Sequence, residues 1–152
     1  MDIKVQRITK TAKIPMRSSA TATGYDLFAD RVDYDDSTHQ LKVFTGIAVQ
    51  PEPGYYVEVY PRSSICKKML QLANSVGIID EDYTGEIILV FNMLPVGYSE
   101  FKTLWYSPTS SIEVGEKIAQ MVVRQRIDAD FIEVSYLDNT VRGDGGFGST
   151  GN

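Results

Sequence analysis

The strongest constraint on this chain is a two-residue alternation of apolar and polar side chains that recurs between Gly, Pro, Asp and Ser punctuation. Successive side chains of an extended strand point to opposite faces, so alternation marks a strand with one face buried. In Tyr55-Tyr56-Val57-Glu58-Val59-Tyr60, Tyr55, Val57 and Val59 share a face, Glu58 lies on the other, and Pro61 closes the run. Residues 118–127 alternate again, which predicts Ala119, Met121, Val123 and Ile127 toward the core and Gln120, Arg124 and Arg126 toward polar surroundings. Residues 86–91 are apolar on both faces, which predicts a strand covered on both sides, within a sandwich or between subunits. Only residues 63–72 have helical spacing, with Ile65, Met69 and Leu72 opposite Lys67, Lys68 and Gln71. A mostly-β architecture with one short helix follows.

No fixed-period repeat and no composition shift divides the 152 residues, so residues 1–152 read as one domain. A chain this long buries a sizeable core without covalent staples. Its single cysteine, Cys66, excludes an internal disulfide and a multi-cysteine zinc site. The single histidine, His39, lies in a polar loop-like run, which argues against a histidine-activated nucleophile. A net charge of −5 has the wrong sign for gripping a nucleic-acid backbone, but leaves room for a small phosphorylated ligand held by a few local cations and amides. No long uncharged run suggests a signal peptide or membrane span, so the expectation is a soluble, unsecreted protein.

Five short strings carry the chemistry. The last, Arg142-Gly143-Asp144-Gly145-Gly146-Phe147-Gly148-Ser149-Thr150-Gly151, holds five of the twelve glycines. Glycines let successive amides converge on an anion, Ser149 and Thr150 add hydroxyls, Arg142 adds charge, and Phe147 could lie on a planar ligand. Taken alone, the string reads more simply as a disordered tail. Gly77-Ile78-Ile79-Asp80-Glu81-Asp82-Tyr83-Thr84-Gly85 puts three acids between apolar runs. Hairpin-turn chemistry explains it, and so does a carboxylate general base that orients a water. In Pro61-Arg62-Ser63-Ser64 the hydroxyls can cap a helix or bind a phosphate. Thr23-Gly24-Tyr25-Asp26-Leu27 and Gly115-Glu116-Lys117-Ile118-Ala119-Gln120 are unremarkable in isolation.

Taken in order, with Asn74-Ser75-Val76 preceding Gly77, these strings resemble the five motifs of the trimeric deoxyuridine triphosphatase (dUTPase) family, and the likeness spans nearly the whole chain. The resemblance implies an all-β, jelly-roll-like sandwich or barrel with residues 142–152 as a flexible C-terminal arm. It implies a homotrimer whose active sites each draw on all three subunits. The implied reaction is hydrolysis of dUTP to dUMP and pyrophosphate by attack of water on the α-phosphorus, which keeps uracil out of DNA and supplies dUMP. Asp80 matches the catalytic base. Asn74, Ile78 and Ile79 match the uracil-binding segment, and Tyr83 and Ile88 match the sugar pocket. Arg62, Ser63, Ser64 and Gln120 match phosphate contacts, while Arg142, Phe147, Gly148, Ser149 and Thr150 match the closing arm. Mg²⁺ is implied as cofactor, with Asp26 steadying one of its waters. No nucleic-acid or membrane partner is implied, and such proteins occur in cells, in the cytoplasm, and in viruses.

The chain departs from the family pattern with Ser64 where Gly is common, Glu116-Lys117 for Asp-Arg, and Thr84 where Arg is frequent. Lys117 keeps the charge but loses a bidentate fork. Two competing readings are a dCTP deaminase-like or bifunctional enzyme of the same fold, and a non-catalytic nucleotide-sensing module. The intact acidic hairpin and glycine-rich tail favour dUTP hydrolysis.

Overall fold

The computed structural model describes residues 1–99, 102–105 and 112–146, with backbone alone for 96–99 and 102–105. The strands are β1 (Lys4–Arg7), β2 (Tyr25–Phe28), β3 (Arg31–Asp35), β4 (Gln40–Phe44), β5 (Ile47–Gln50), β6 (Tyr55–Pro61), β7 (Leu70–Leu72), β8 (Gly77–Ile79), β9 (Ile88–Met93), β10 (Pro95–Ser99), β11 (Lys102–Trp105) and β12 (Lys117–Gln125). They form two four-stranded antiparallel sheets, in the orders β2-β12-β6-β8 and β3-β4-β9-β7, and two strand pairs, β1-β5 and β10-β11. The expected all-β architecture is therefore present.

Between the large sheets lies one core, which Leu27, Val57, Val59, Ala119 and Met121 enter from one side and Leu41, Val43, Leu70, Leu72, Leu89 and Phe91 from the other. The alternation in β6 holds, since Val57 and Val59 are buried while Glu58 is not. In β12 it is broken once. The register against β2 shifts between Lys117 and Ala119, so Ile118 is an extra residue and both Ile118 and Ala119 point inward. The expectation fails at Ile127, which lies past the strand end and is 86% exposed.

The expected helix over 63–72 is shorter and of another kind. A 3₁₀ helix covers Ser63–Lys68, Met69 turns into the left-handed region at φ 53°, and Leu70–Leu72 continues as β7 against β9. Leu70 and Leu72 bury while Gln71 is exposed, so period two overrides the helical spacing once a neighbouring strand is available. Of the two expected covers for the doubly apolar run, a sandwich or a subunit interface, the sandwich supplies one face. β9 buries Leu89, Phe91 and Met93, but Ile88 on its other face is 44% exposed and Val90 is half-buried, so this chain covers one face only.

Gly46 and Gly54 both have positive φ, but their surroundings differ. A Cβ on Gly46 would lie 2.7 Å from Thr9 Oγ1 and 2.8 Å from the Ala12 Cβ, whereas one on Gly54 would meet open space. Gly54→Ala is expected to cost about 1–2 kcal/mol, the left-handed penalty alone. Gly46→Ala should cost about 3 kcal/mol or more, because the clash adds to that penalty. Urea titrations at one protein concentration check the order.

Candidate active site

The segment after β7 turns through Asn74 and returns as β8, a three-residue edge strand that pairs with β6 alone among the described residues. An edge strand leaves one row of backbone N–H and C=O groups unpaired. Beside it lies a cavity of about 230 Å³, lined by Asn74, Gly77, Ile78, Ile79, Ile88 and Val90 among others. That volume falls below the roughly 300–1,000 Å³ of drug-sized ligand pockets. Ile78 also lines a second, more open depression of about 590 Å³ that contains Asp80, Asp82, Tyr55 and Tyr56. Asp80 is exposed, and its carboxylate has no partner among the described residues. Tyr83 folds back over Gly85, its hydroxyl donating to the Glu86 carbonyl at 3.0 Å. Asn74, Ile78, Ile79, Asp80, Tyr83 and Ile88 thus gather at one edge of the sandwich.

The other expected residues gather elsewhere. Register sets Gln120 of β12 opposite Asp26 of β2 and Tyr60 of β6, and Arg62 follows directly from β6. Gly24 lies so close to Gln120 that a Cβ there would collide with the amide. Asp26 is buried, and its carboxylate receives Arg62 Nε at 3.1 Å, Lys117 Nζ at 2.8 Å and the Ser18 hydroxyl at 2.5 Å. Burial pushes the Asp26 carboxyl up, but the hydrogen bonds from Lys117 and Ser18 and the Arg62 and Lys117 charges outweigh it and hold it below the usual range. Asp26 therefore anchors Arg62 and Lys117. No group of three or more His, Cys, Asp or Glu that could hold a metal occurs among the described residues.

Arg62 is the N-cap of the 3₁₀ helix, and no side chain caps it. The capping reading of Ser63 and Ser64 fails, and both hydroxyls lack a partner among the described residues. Neither cavity beside Asp80 is lined by Arg62, Ser63, Ser64 or Gln120. Arg142 is exposed, its Nε donating to the Gly145 carbonyl at 2.8 Å, and the hydrogen bonds of residues 129–146 are all local. Phe147, Gly148, Ser149 and Thr150 lie outside the described residues.

The sequence model of the dUTPase family matches residues 10–151. The chain belongs to the dUTPase family. It is 37% identical over 153 aligned residues to a deoxyuridine 5'-triphosphate nucleotidohydrolase of Hydrogenobaculum, covering 99% of both chains. Its fold superposes with a TM-score of 0.79 on a Staphylococcus bacteriophage 80alpha dUTPase solved with dUPNHPP, at 25% identity and 99% coverage of both chains. A dUTPase from phage phi11 of S. aureus, 21% identical with a TM-score of 0.70 over 91% of this chain and 100% of that one, shares the fold and is described with a structural Mg(II) ion.

Within this dUTPase fold, the sequence does not show the ties that hold the strings around Asp26, Arg62 and Lys117 together. Lys117 also donates to Ser18 at 2.9 Å, and Lys68 pairs with Glu116 at 2.9 Å, linking the 3₁₀ helix to the turn before β12. Ser18 carries no local sequence signal. Lys117 was legible only as a replacement for Arg. A single ammonium suffices here, because Asp26 receives Arg62 on its other oxygen.

Asp26→Ala should lower stability at pH 7 by about 3 kcal/mol, since it leaves two cations facing a buried gap. The folded-state carboxyl is depressed, so its stabilisation is fully present above about pH 4, the unfolded value, and fades as pH falls through the folded value. Denaturant melts should accordingly show the wild-type advantage shrinking below about pH 4.

Proposed function

We propose that the chain hydrolyses dUTP to dUMP and pyrophosphate, with Asp80 as the general base. The observation that carries this reading is an unpaired carboxylate one residue past an edge strand that borders a nucleobase-scale cavity. The uracil ring lies against β8, where backbone N–H and C=O groups meet its acceptor–donor–acceptor edge, helped by the Asn74 amide. The small apolar recess leaves no room for a 5-methyl group, and Tyr83 closes the sugar side, with Ile88 beneath it. Asp80 holds a water in line and accepts its proton as the new P–O bond forms. The bond from the α-phosphorus to the bridging oxygen breaks, and pyrophosphate leaves.

Arg62, the free Ser63 and Ser64 hydroxyls and Gln120 bind the triphosphate, with Arg142 and residues 147–150 closing over it. Mg²⁺ held by phosphate oxygens would offset their charge. Among the described residues no group of three or more His, Cys, Asp or Glu could cage the ion, which fits an ion that arrives on the nucleotide. Asp26 serves the phosphates through Arg62, whose guanidinium it holds in place.

Three observations support a homotrimer with shared sites. The base-side and phosphate-side groups occupy separate places on one chain, and the exposed face of β9 offers Ile88 and Val90 for cover. Past β12, Ile127, Phe131, Ile132, Tyr136 and Leu137 are each more than 80% exposed, more apolar surface than an isolated arm tolerates in water. Light scattering is expected to give about three times the 17.0 kDa chain mass. A fully active monomer at all concentrations would refute shared sites.

Product analysis with each deoxynucleoside triphosphate tests the reaction itself, and dUMP with pyrophosphate from dUTP is expected. Ammonia released from dCTP would point to deamination instead. Asp80→Asn should lower kcat by at least ~10² with KM changed modestly, whereas near wild-type turnover would remove Asp80 from the base role.

A further inference from the structure

Of the three consecutive acids Asp80, Glu81 and Asp82, only Glu81 has its carboxylate engaged among the described residues. Its Oε2 accepts the Gly54 backbone N–H at 2.7 Å, and its Oε1 faces Arg126 Nη1 at 2.8 Å. Arg126 closes the ring from the other side, its backbone N–H donating to the Gly54 carbonyl at 2.8 Å. Arg126 Nε also bonds Asp128 at 2.9 Å, at the root of the exposed apolar segment. One carboxylate thereby fastens three pieces of chain: the loop carrying Asp80, the turn before β6, and the residue just past the end of β12.

The remaining hydrogen bonds of residues 80–83 stay inside the hairpin, with the Tyr83 N–H donating to the Asp80 carbonyl at 3.1 Å and the Tyr83 hydroxyl to Glu86. Glu81 is thus the loop's one side-chain tie to another element among the described residues. The Gly54 N–H, then Arg126, hold its carboxyl below the usual range, so it is charged at neutral pH. A base displaced by about 1 Å can lose ~10² in rate, so a loop that carries one needs such a tie.

We propose that Glu81 and Arg126 form a positioning clamp, which holds the Asp80 carboxylate in line for attack and fixes the direction in which the chain beyond residue 126 leaves the sandwich. The proposal rests on Asp80 as the base. It gives the acidic loop a division of labour, with one carboxylate for chemistry and its neighbour for placement.

The clamp also balances charge around the base. The ionisable groups that line the depression with Asp80 are Glu81 and Asp82 on its own loop, Tyr55 and Tyr56 from β6, and Arg126, which Asp128 also pairs with. Removing the Glu81 charge leaves Arg126 less compensated beside Asp80, which favours the ionised base. Removing the Arg126 charge leaves Glu81 and Asp128 uncompensated, which disfavours it. A merely structural pair would lose activity in both variants with no such opposition.

The test is the pH dependence of dUTP hydrolysis, with Mg²⁺ present, by the full chain and its Glu81→Gln, Arg126→Gln, Arg126→Lys and Asp80→Asn variants. Glu81→Gln and Arg126→Gln should each lower kcat ~10-fold with KM within about threefold, while Arg126→Lys, which keeps the charge, recovers most of the loss. The acid limb of the kcat/KM profile should move to lower pH in Glu81→Gln and to higher pH in Arg126→Gln, each by a few tenths of a pH unit. Wild-type kcat in both variants, or limbs moving in the same direction, overturns the clamp. Turnover retained by Asp80→Asn overturns the base assignment instead, whereas an inactive Asp80→Asn beside a fully active Glu81→Gln sinks the clamp alone. Should Glu81→Gln fail to fold by thermal melt, the contrast between Arg126→Gln and Arg126→Lys decides: equal kcat and equal acid limbs in those two overturn the proposal.

Discussion

The hydrogen-bond ladder along both edges of β12 is the constraint on which the site depends. β12 pairs with β6 on one side and β2 on the other, so its register decides which side chains meet across three strands. One extra residue at Ile118 re-aims the strand, after which Gln120 falls between Asp26 and Tyr60, and Ala119 pairs with Pro61 so that Arg62 emerges beside them. A slip of one position would send Gln120 into the core and Ala119 to the surface. Asp26, Arg62 and Gln120, far apart in sequence, are neighbours because of that single alignment.

Electrostatics then sets what the alignment can hold. The chain is acidic overall, yet Arg62 and Lys117 are concentrated around Asp26, one of the few buried polar side chains among the described residues. Their attraction to Asp26 holds the cations in place without saturating them. Arg62 meets the carboxylate as an ion pair through Nε, and its guanidinium N–H groups have no other partner among the described residues, which leaves them available for an anion. A buried carboxylate with no partner would be costly, and two cations with no carboxylate would repel each other. The edge at β8 is built differently, from main chain and apolar side chains with carboxylates at its rim.

Much of this was legible in the sequence, for identifiable reasons. Alternation in 55–60 gave β6 with the correct face, because period two has few competing explanations there. The five motifs located both clusters, since each string carries residue types that a bare scaffold does not need together. What sequence left hidden was set by partners distant along the chain. Residues 63–72 scan equally as helix or as turn plus strand until β9 supplies hydrogen bonds to Leu70–Leu72. Ile127 looks like a core residue because nothing local shows that the sheet ends at Gln125. Nothing local shows that Ser18 and Lys117 reach Asp26, because those contacts depend on the β2–β12 register.

The short edge strand β8 leaves a row of main-chain groups free at the recess beside it, among apolar walls. A recognition surface made of peptide groups is insulated from mutational drift. Exchanging Ile78 or Ile79 for another residue alters the walls but leaves the order of N–H donors and C=O acceptors untouched. Related chains can therefore diverge widely in sequence around that recess and still read the same ligand edge. A change of preference would demand bending the backbone itself, through an insertion, a deletion or a bulge, and such changes arise far less readily than point substitutions.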